Sequence, residues 1–451
     1  MPATATASTA AHQTDRSDFS PSSPVLSITG GVPLRGEVTI SGSKNAALPI
    51  LAATLLTPDE CVLTNVPDLS DIRTMVGLLG ELGAETDYDT ESGRLRIRAA
   101  SISSTEAPAD LVGKMRASFL IAGPLLARMG SMSASTPGGC QLGVRPVDVD
   151  VRGFRQMGAE VEAGERVIAA HVSGGRLRGS GIFMDYPSHT GTENLLMAAT
   201  LAEGRTTIVN ASCEPEIVAL GNMLVRMGAR ISGLGSPTIT VDGVDRLTGV
   251  SEAILPDRLE AGTYAIAAIV TGGEVRLNRV VEQDLLPVRA KLEEAGAELW
   301  SRGDSLLVRP GLQLTAVEVQ TLPYPGFPTD LQAAIAVLMT QATGTSKIKE
   351  RVFEDRLRYT EQLRAMGADI WVDKYASDRY GNEATITGPT PLHGAEVKAI
   401  DIRAGAGMVL AGLVAEGETR VSNVHHIERG YHDMVGKLRS LGAQIEELRD
   451  V

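Results

Sequence analysis

One thiol, one lysine, a handful of arginines and one carboxylate carry the chemistry open to this chain. Cys140 lies in Ser135-Thr136-Pro137-Gly138-Gly139-Cys140-Gln141-Leu142-Gly143-Val144-Arg145-Pro146, a segment with three glycines and two prolines, five residues before Arg145. That composition predicts a surface loop. A nearby cation stabilises a thiolate and lowers the thiol pKa, which makes the group a usable acid or nucleophile. The alternative is a loop cysteine with no task. Ser41-Gly42-Ser43-Lys44-Asn45 follows the strand Glu37-Val38-Thr39-Ile40 and opens an apolar helix from Ala46. A lysine at a helix N-terminus beside glycine and serine suits an anion, although the spacing of a Walker loop is absent. Lys114-Met115-Arg116-Ala117-Ser118 opens another apolar helix. Glu354-Asp355-Arg356, Asp401-Ile402-Arg403-Ala404 and Glu428-Arg429-Gly430-Tyr431 each set an acid close to an arginine. Singly, each pair reads as a surface salt bridge of little worth. Together, Lys44, Arg116, Arg356 and Arg403 lie near helix starts, the end of the element that favours anions. Units stacked in a common orientation would aim those ends at one cleft and clamp a substrate carrying phosphate and carboxylate. The matching acid is Asp330, in Pro325-Gly326-Phe327-Pro328-Thr329-Asp330-Leu331-Gln332. Its turn ends at a helix start, so its carboxylate is either a helix cap or the acid of the site. No metal-binding set of histidines or cysteines and no dinucleotide-binding glycine motif is present.

The elements that must position these residues are written as a repeat. Gly83-Ala84, Gly158-Ala159, Gly228-Ala229, Gly296-Ala297, Gly367-Ala368 and Gly442-Ala443 each follow a helical run, at steps of 75, 70, 68, 71 and 75 residues. Five copies carry an earlier glycine at the end of an Ala-rich helix: Gly130, Gly204, Gly272, Gly344 and Gly417. The first copy has Thr57-Pro58-Asp59-Glu60 instead. Glycine just past a helix supplies the left-handed backbone of a cap. Each unit therefore reads strand, helix, strand, helix, strand, strand. A period near seventy is too long for the common solenoids, so six copies are expected to close into a compact body.

Bulk composition sets the frame. A chain of 451 residues exceeds the size at which single cores stop growing, and six copies divide most simply into two domains of three. Aromatics make up only 4% of residues while glycines number 48, so the cores must be Ala, Val, Leu and Ile packed around glycine contacts. No apolar run is long enough to span a membrane. A net charge of −13 argues against a nucleic-acid partner, which would need a basic face, but leaves small anionic ligands open. Cys61, Cys140 and Cys213 are odd in number and widely spaced, as free thiols of a reducing cytosol are. Cys61 and Cys213 read as small buried or incidental thiols. Residues 1–24 are rich in Ser, Thr, Ala and Pro, lack an apolar signal core and are expected to be a disordered tail.

Several of these segments together carry a resemblance. From Val25 to Leu448 the chain resembles the enolpyruvyl transferases that act on UDP-N-acetylglucosamine. It does so through Gly36-Glu37-Val38-Thr39-Ile40-Ser41-Gly42-Ser43-Lys44-Asn45-Ala46-Ala47, the cysteine loop through Arg145-Pro146-Val147-Asp148, Leu255-Pro256-Asp257-Arg258, Phe327-Pro328-Thr329-Asp330 and Arg429-Gly430-Tyr431. The related shikimate enolpyruvyl transferases share the six-unit body without the cysteine loop. The resemblance implies two inside-out α/β domains of three units each, helices buried and sheets outside. Residues 25–43 plus 256–451 would form the first, and 44–255 the second, which carries the cysteine loop as a lid. Lys44, Asn45, Arg145, Arg356, Arg403 and Arg429 would hold phosphoenolpyruvate. Asn45, Arg116, Arg145, Pro146, Val147, Asp148, Val149, Tyr186, Ser188, His189, Asp330 and Val352 would line the nucleotide-sugar site. Cys140 would be the general acid and Asp330 the base, with Lys44, Arg145 and Arg429 stabilising charge. No metal or cofactor is implied, and the place of work would be the cytoplasm, in peptidoglycan synthesis and hence cell wall formation, shape and division.

The chain also departs from the pattern. Asp150 stands where many members have a histidine, five residues after the arginine of the cysteine loop, and Asp185-Tyr186-Pro187-Ser188-His189-Thr190-Gly191-Thr192-Glu193-Asn194 is not the commonest form around the uridine. An acid there is expected to make contact with a diphosphate less favourable. Two other readings follow: enolpyruvyl transfer to another uridine nucleotide in a secondary pathway, and a catalytically silent paralogue that binds without turnover.

Overall fold

The computed structural model describes residues 24–136, 147–376 and 381–448. Cys140, Arg145 and Pro146, like the tail up to residue 23, lie outside the described residues.

The repeat predicted from glycine spacing is visible as six sheets among the described residues. One unit shows the rule. Glu318–Gln320 pairs in parallel with Gly344–Glu350 after the helix Gln332–Gln341. A second helix, Thr360–Ala365, leads to Asp369–Ala376, and Gly381–Gly388 then inserts between the second and third strands. The spatial order is thus first, second, fourth, third, and all five four-stranded sheets follow it. The sixth sheet has only the last three strands, its first being reduced to one bridge between Glu106 and Ser133. The amino-terminal strand Val25–Thr29 serves as the fourth strand of the carboxy-terminal unit, with Val25 opposite Leu448.

Two of these sheets borrow their first strand across a chain crossing. Arg35–Thr39 pairs with Glu274–Asn278, yet the chain runs from it into the helix Lys44–Ala53. Ser251–Ala253 pairs with Glu60–Thr64, yet runs into the helix Arg258–Val270. The two crossing segments lie side by side, with Ser43 N donating to Leu255 O at 2.7 Å and Asp257 N to Ser41 O at 2.8 Å. Buried apolar residues accordingly fall into two clusters. One takes Leu26 to Ile40 and Leu259 to Ile445, the other Ala46 to Ile254.

Helices fill the centre of each half. Arg258–Val270, Gln332–Gln341 and Ile402–Val414 are buried on nearly every face and pack on one another. In the other half Lys44–Ala53 and Ala122–Met129 are buried in the same way, and each packs on His189–Thr200. A helix apolar all round belongs in an interior, and small residues let three meet. A Cβ on Gly407 would sit 2.9 Å from that of Ala333, and one on Gly123 would sit 2.4 Å from Asn194 O. The second helix of each unit is one-sided instead. In Ser70–Glu81 only Asp71, Ile72, Met75, Leu78 and Leu79 are buried, the helical stripe that faces a core.

The six Gly-Ala glycines all have φ between +90° and +109°, as a left-handed exit requires. The earlier glycines differ in detail. Gly130 is itself the cap of its helix, whereas Gly204, Gly272, Gly344 and Gly417 stand beyond the capping residue and turn the chain into the next strand. Cys61 is buried in its strand and Cys213 is half-buried.

Candidate active site

Helix starts from both halves meet at a cleft of about 1000 Å³. Lys44 is the first residue of its helix, two positions earlier than the apolar run predicts, because Ser43 is the cap: its hydroxyl accepts from Ala46 N at 3.3 Å. Arg116 and Arg356 each begin a short 3-10 turn. Arg403 is the second residue of its helix, whose cap Asp401 accepts from the backbone N–H of Arg403 and Ala404 at 2.8 and 2.9 Å. Arg429 closes the short helix His425–Glu428. All five cations line the cleft.

Two carboxylates gather four of them. Asp71 lies 3.1 Å from Lys44 Nζ and accepts from Arg429 Nε at 2.8 Å. Asp330 accepts from Arg356 Nη2 at 3.0 Å and Arg403 Nε at 3.3 Å. Of the two roles the sequence allows Asp330, capping is not the one adopted: the helix Gln332–Gln341 has no side-chain cap, and the carboxylate turns to the arginines. With both acids ionised, this group of six side chains carries two net positive charges, enough to receive a multiply charged anion.

Burial sets the protonation states. Lys44 is only 8% exposed. Desolvation lowers its ammonium pKa, with Arg403 and Arg429 adding to the fall, while Asp71 opposes it. Burial works to raise the Asp71 carboxyl, but Lys44 and Arg429 outweigh it and hold the group below the usual range. Burial likewise disfavours charge on Arg403, yet Tyr431, whose ring lies 5.0 Å away, and Asp330 outweigh it and raise the pKa.

The same cleft is also lined by Asn45, Asp148, Val149, Tyr186, Ser188, His189 and Val352. Ser188 caps the helix His189–Thr200 by accepting from Gly191 N at 3.1 Å. His189 lies 2.9 Å from Glu193 and 3.9 Å from Glu214. Burial works to lower its pKa, but the two carboxylates raise it well above 6.5. Glu214 is pulled down to about 2 despite its burial, by His189 and by the Ser212 hydroxyl. Val147 is set apart from the rest: it packs against the second core instead of the cleft wall.

The concern raised by Asp150 is corrected by its placement. It does not line the cleft but is 2% exposed beneath it, with Oδ1 accepting from Asn194 Nδ2 at 2.7 Å. Asn194 in turn accepts from Gly123 N at 3.0 Å. Desolvation raises the Asp150 carboxyl to about 6. The acid thus helps to join three helices beneath the cleft and is not part of its lining.

Sequence reasoning missed Asp71, Glu193, Glu214 and the buried pair Arg258–Glu216, in which Arg258 Nε meets Glu216 Oε1 at 2.9 Å. In sequence Asp71 is an acid in a first helical turn, where the helix dipole alone explains it. Its partners Lys44 and Arg429 lie 27 and 358 residues away. Among the described residues no three His, Cys, Asp or Glu side chains are grouped to hold a metal, and no helix is long and apolar enough to cross a membrane.

Comparison with known proteins agrees with this arrangement. Residues 28–448 match the model of the family EPSP synthase (3-phosphoshikimate 1-carboxyvinyltransferase). UDP-N-acetylglucosamine 1-carboxyvinyltransferase 1 of Caldanaerobacter subterraneus subsp. tengcongensis is 46% identical over 92% of this chain and 97% of its own length. UDP-N-acetylglucosamine 1-carboxyvinyltransferase 2 of Carboxydothermus hydrogenoformans is 48% identical over 94% and 99%. The crystal structure of the enolpyruvyl transferase NikO from Streptomyces tendae superposes with a TM-score of 0.85 at 25% identity, covering 96% of this chain and all of that one. EPSP synthase from Acinetobacter baumannii, 18% identical with a TM-score of 0.74 over 94% of this chain and all of that one, shares the fold. Six repeated units, a cation-lined cleft between two cores and these likenesses place the chain in the EPSP synthase family, among the UDP-N-acetylglucosamine 1-carboxyvinyltransferases.

Proposed function

We propose that this protein transfers the enolpyruvyl group of phosphoenolpyruvate to the 3-hydroxyl of UDP-N-acetylglucosamine and releases phosphate. The observation that carries the reading is the convergence of Lys44, Arg356, Arg403 and Arg429 on Asp71 and Asp330 in one cleft. Phosphoenolpyruvate brings a phosphate and a carboxylate, and it would take over contacts that the two aspartates now make. Preorganised charge of this kind stabilises the transition state of a step in which charge is redistributed.

The hydroxyl oxygen bonds to C2 of phosphoenolpyruvate while its proton passes to Asp330, and C3 gains a proton from the Cys140 thiol. C3 then gives a proton back to the Cys140 thiolate as the bond from C2 to the phosphate oxygen breaks, and phosphate leaves. Arg145, with Asn45, completes the phosphoenolpyruvate site. Arg116, Pro146, Asp148, Val149, Tyr186, Ser188, His189 and Val352 belong to the nucleotide-sugar site. Residues 25–43 plus 256–451 and residues 44–255 act as two domains that close over the substrates, and closure excludes water. The product is a peptidoglycan precursor made in the cytoplasm, which ties the protein to wall synthesis, cell shape and division.

Phosphate release from phosphoenolpyruvate with UDP-N-acetylglucosamine as acceptor tests the reading, in wild type, Cys140→Ala and Asp330→Asn. Release that either substitution lowers by about a hundredfold or more supports it, since general acid–base groups contribute on that scale. Saturable binding of both substrates without release would overturn it.

A further inference from the structure

Glu350 ends the strand Gly344–Glu350 and is fully buried. It does not line the cleft, yet it touches two segments that do. Its Oε2 accepts from the Thr329 hydroxyl at 2.8 Å and from the Gln332 carboxamide. Its Oε1 accepts from the backbone N–H of Val352 at 2.6 Å and of Phe353 at 2.9 Å. These four donors are all neutral. A carboxylate is acceptor-only, with room for about four bonds, so these donors use it in full.

The two sides of Glu350 matter for different reasons. Thr329 and Gln332 flank Asp330 and Leu331 in the turn Thr329–Leu331, which has no side-chain cap of its own. Glu350 ties this turn down from a strand through the side chains of Thr329 and Gln332, not through backbone N–H groups as a cap would. Val352 and Phe353 lie in a second turn that lines the cleft, and Phe353 stacks under Arg356, the arginine that donates to Asp330, at 5.6 Å. The phenol of Tyr359, raised first by burial and then by the charge of Glu350, donates to Gln332 O at 3.4 Å on the same side.

We propose that Glu350 is a positioning residue that locks the Asp330 turn to the Val352–Phe353 turn and so fixes where the Asp330 carboxylate stands against the acceptor hydroxyl. This rests on the reading of Asp330 as the base. A misplacement of about 1 Å at a reacting group costs on the order of a hundredfold in rate. Glu350→Ala is therefore expected to lower kcat by about that factor while leaving the KM for phosphoenolpyruvate nearly unchanged. Glu350→Gln should recover most of the loss. Its amide oxygen can serve the two backbone N–H groups, and its NH2 can donate to the Thr329 hydroxyl and to a turned Gln332 carboxamide. A role carried by the charge alone would leave Glu350→Gln as slow as Glu350→Ala.

The decisive measurement is a double-mutant cycle with Asp330→Asn, read on single-turnover phosphate release and on UDP-N-acetylglucosamine affinity by calorimetry. A residue that acts through Asp330 loses most of its effect once Asp330 is gone. Thr329→Val removes one donor only and keeps the test available if Glu350→Ala does not fold. It should show the same non-additivity with a smaller loss. Equal losses with and without Asp330, or wild-type rates in all Glu350 and Thr329 variants, would overturn the proposal. If Asp330→Asn turns over normally while Glu350→Ala does not, the base assignment fails and Glu350 acts by another route.

Discussion

Asp71 and Lys44 show how a site stores charge that single residues could not keep. An ammonium 8% exposed and close to two guanidinium groups would tend to shed its proton; the carboxylate 3.1 Å away is what retains it. Asp71→Ala should therefore lower the Lys44 pKa further, because the one opposing influence is removed while desolvation, Arg403 and Arg429 remain. The basic limb of the pH profile of kcat/KM for phosphoenolpyruvate is expected to move to lower pH than in the wild type. An unchanged basic limb would mean that Lys44 is not the group whose deprotonation ends activity. Neither Asp71 nor Glu350 was legible as a site residue in the sequence. Each is recognisable only by its partners, which tertiary folding supplies: Arg429 reaches Asp71 from 358 residues away.

At the scale of elements, the helix start is the recurring device, and His189 offers the clearest handle on it. His189 opens a buried helix and is held protonated between Glu193 and Glu214. Its folded pKa lies above the unfolded value near 6.5, so the stability it contributes is fully present below that value and is lost as pH rises through the folded pKa. Glu214, depressed to about 2, contributes stability present above its unfolded value of 4.5 and lost as pH falls toward 2. His189→Gln should flatten the decline in Tm on the alkaline side of pH 7 while the acid limb weakens, since Glu214 loses its cation. A wild-type alkaline slope in the variant would show that His189 is neutral in the native protein. Asp401 gives a second test. Asp401→Ala removes both cap bonds of the helix carrying Arg403 and is expected to cost about 1–2 kcal/mol in urea unfolding; Asp401→Asn, which keeps an acceptor, should cost much less. These elements were largely legible in advance, because capping glycines repeat at a regular step and apolar periodicity marks the helices between them. A second periodic signal went unread. Asn65, Asn210, Arg279 and Asn423 each follow the second strand of a unit with φ between +56° and +61°. Asparagine tolerates that left-handed turn, but the arginine in the series hides the pattern. Order within each sheet was not legible, because the fourth strand inserts between the second and third and only pairing reveals it.

Across the whole molecule, two crossings of the chain connect the cores and, among the described residues, charged bridges join them as well. The crossings run side by side at Gly42 and Pro256, and Glu260 and Lys437 brace Ser41 on the first-core side. Beyond them, Asp71 and Arg429 join the halves at the cleft, and so do Arg258, which lines it, and the enclosed Glu216. In the sequence, crossings near Ser43 and Leu255 are implied by the resemblance alone; no periodicity marks them, since each borrowed strand looks like any other. The second bridge is the more deeply buried, with Glu216 fully enclosed and Arg258 just 9% exposed. Burial works against the charge of Arg258, and Glu216, followed by Glu214 and Asp257, outweighs it. Glu216→Leu should then leave a guanidinium enclosed without its bidentate partner, at a cost of about 3 kcal/mol, the low end for a broken buried pair because Glu214 and Asp257 remain near. Replacing both members, Glu216→Leu with Arg258→Met, removes the desolvated charge as well and should restore much of that loss, since apolar residues of similar volume often replace a buried pair at little cost. Unfolding free energies of the two single variants and the double variant in urea separate the cases. A double variant as unstable as the sum of the singles would mean that each side chain supports its own half, and that the pair does not bridge the cores. A double variant that is stable but slow in phosphate release would assign the bridge to domain closure, with its charge retained for the geometry of the closed cleft and not for the stability of the fold.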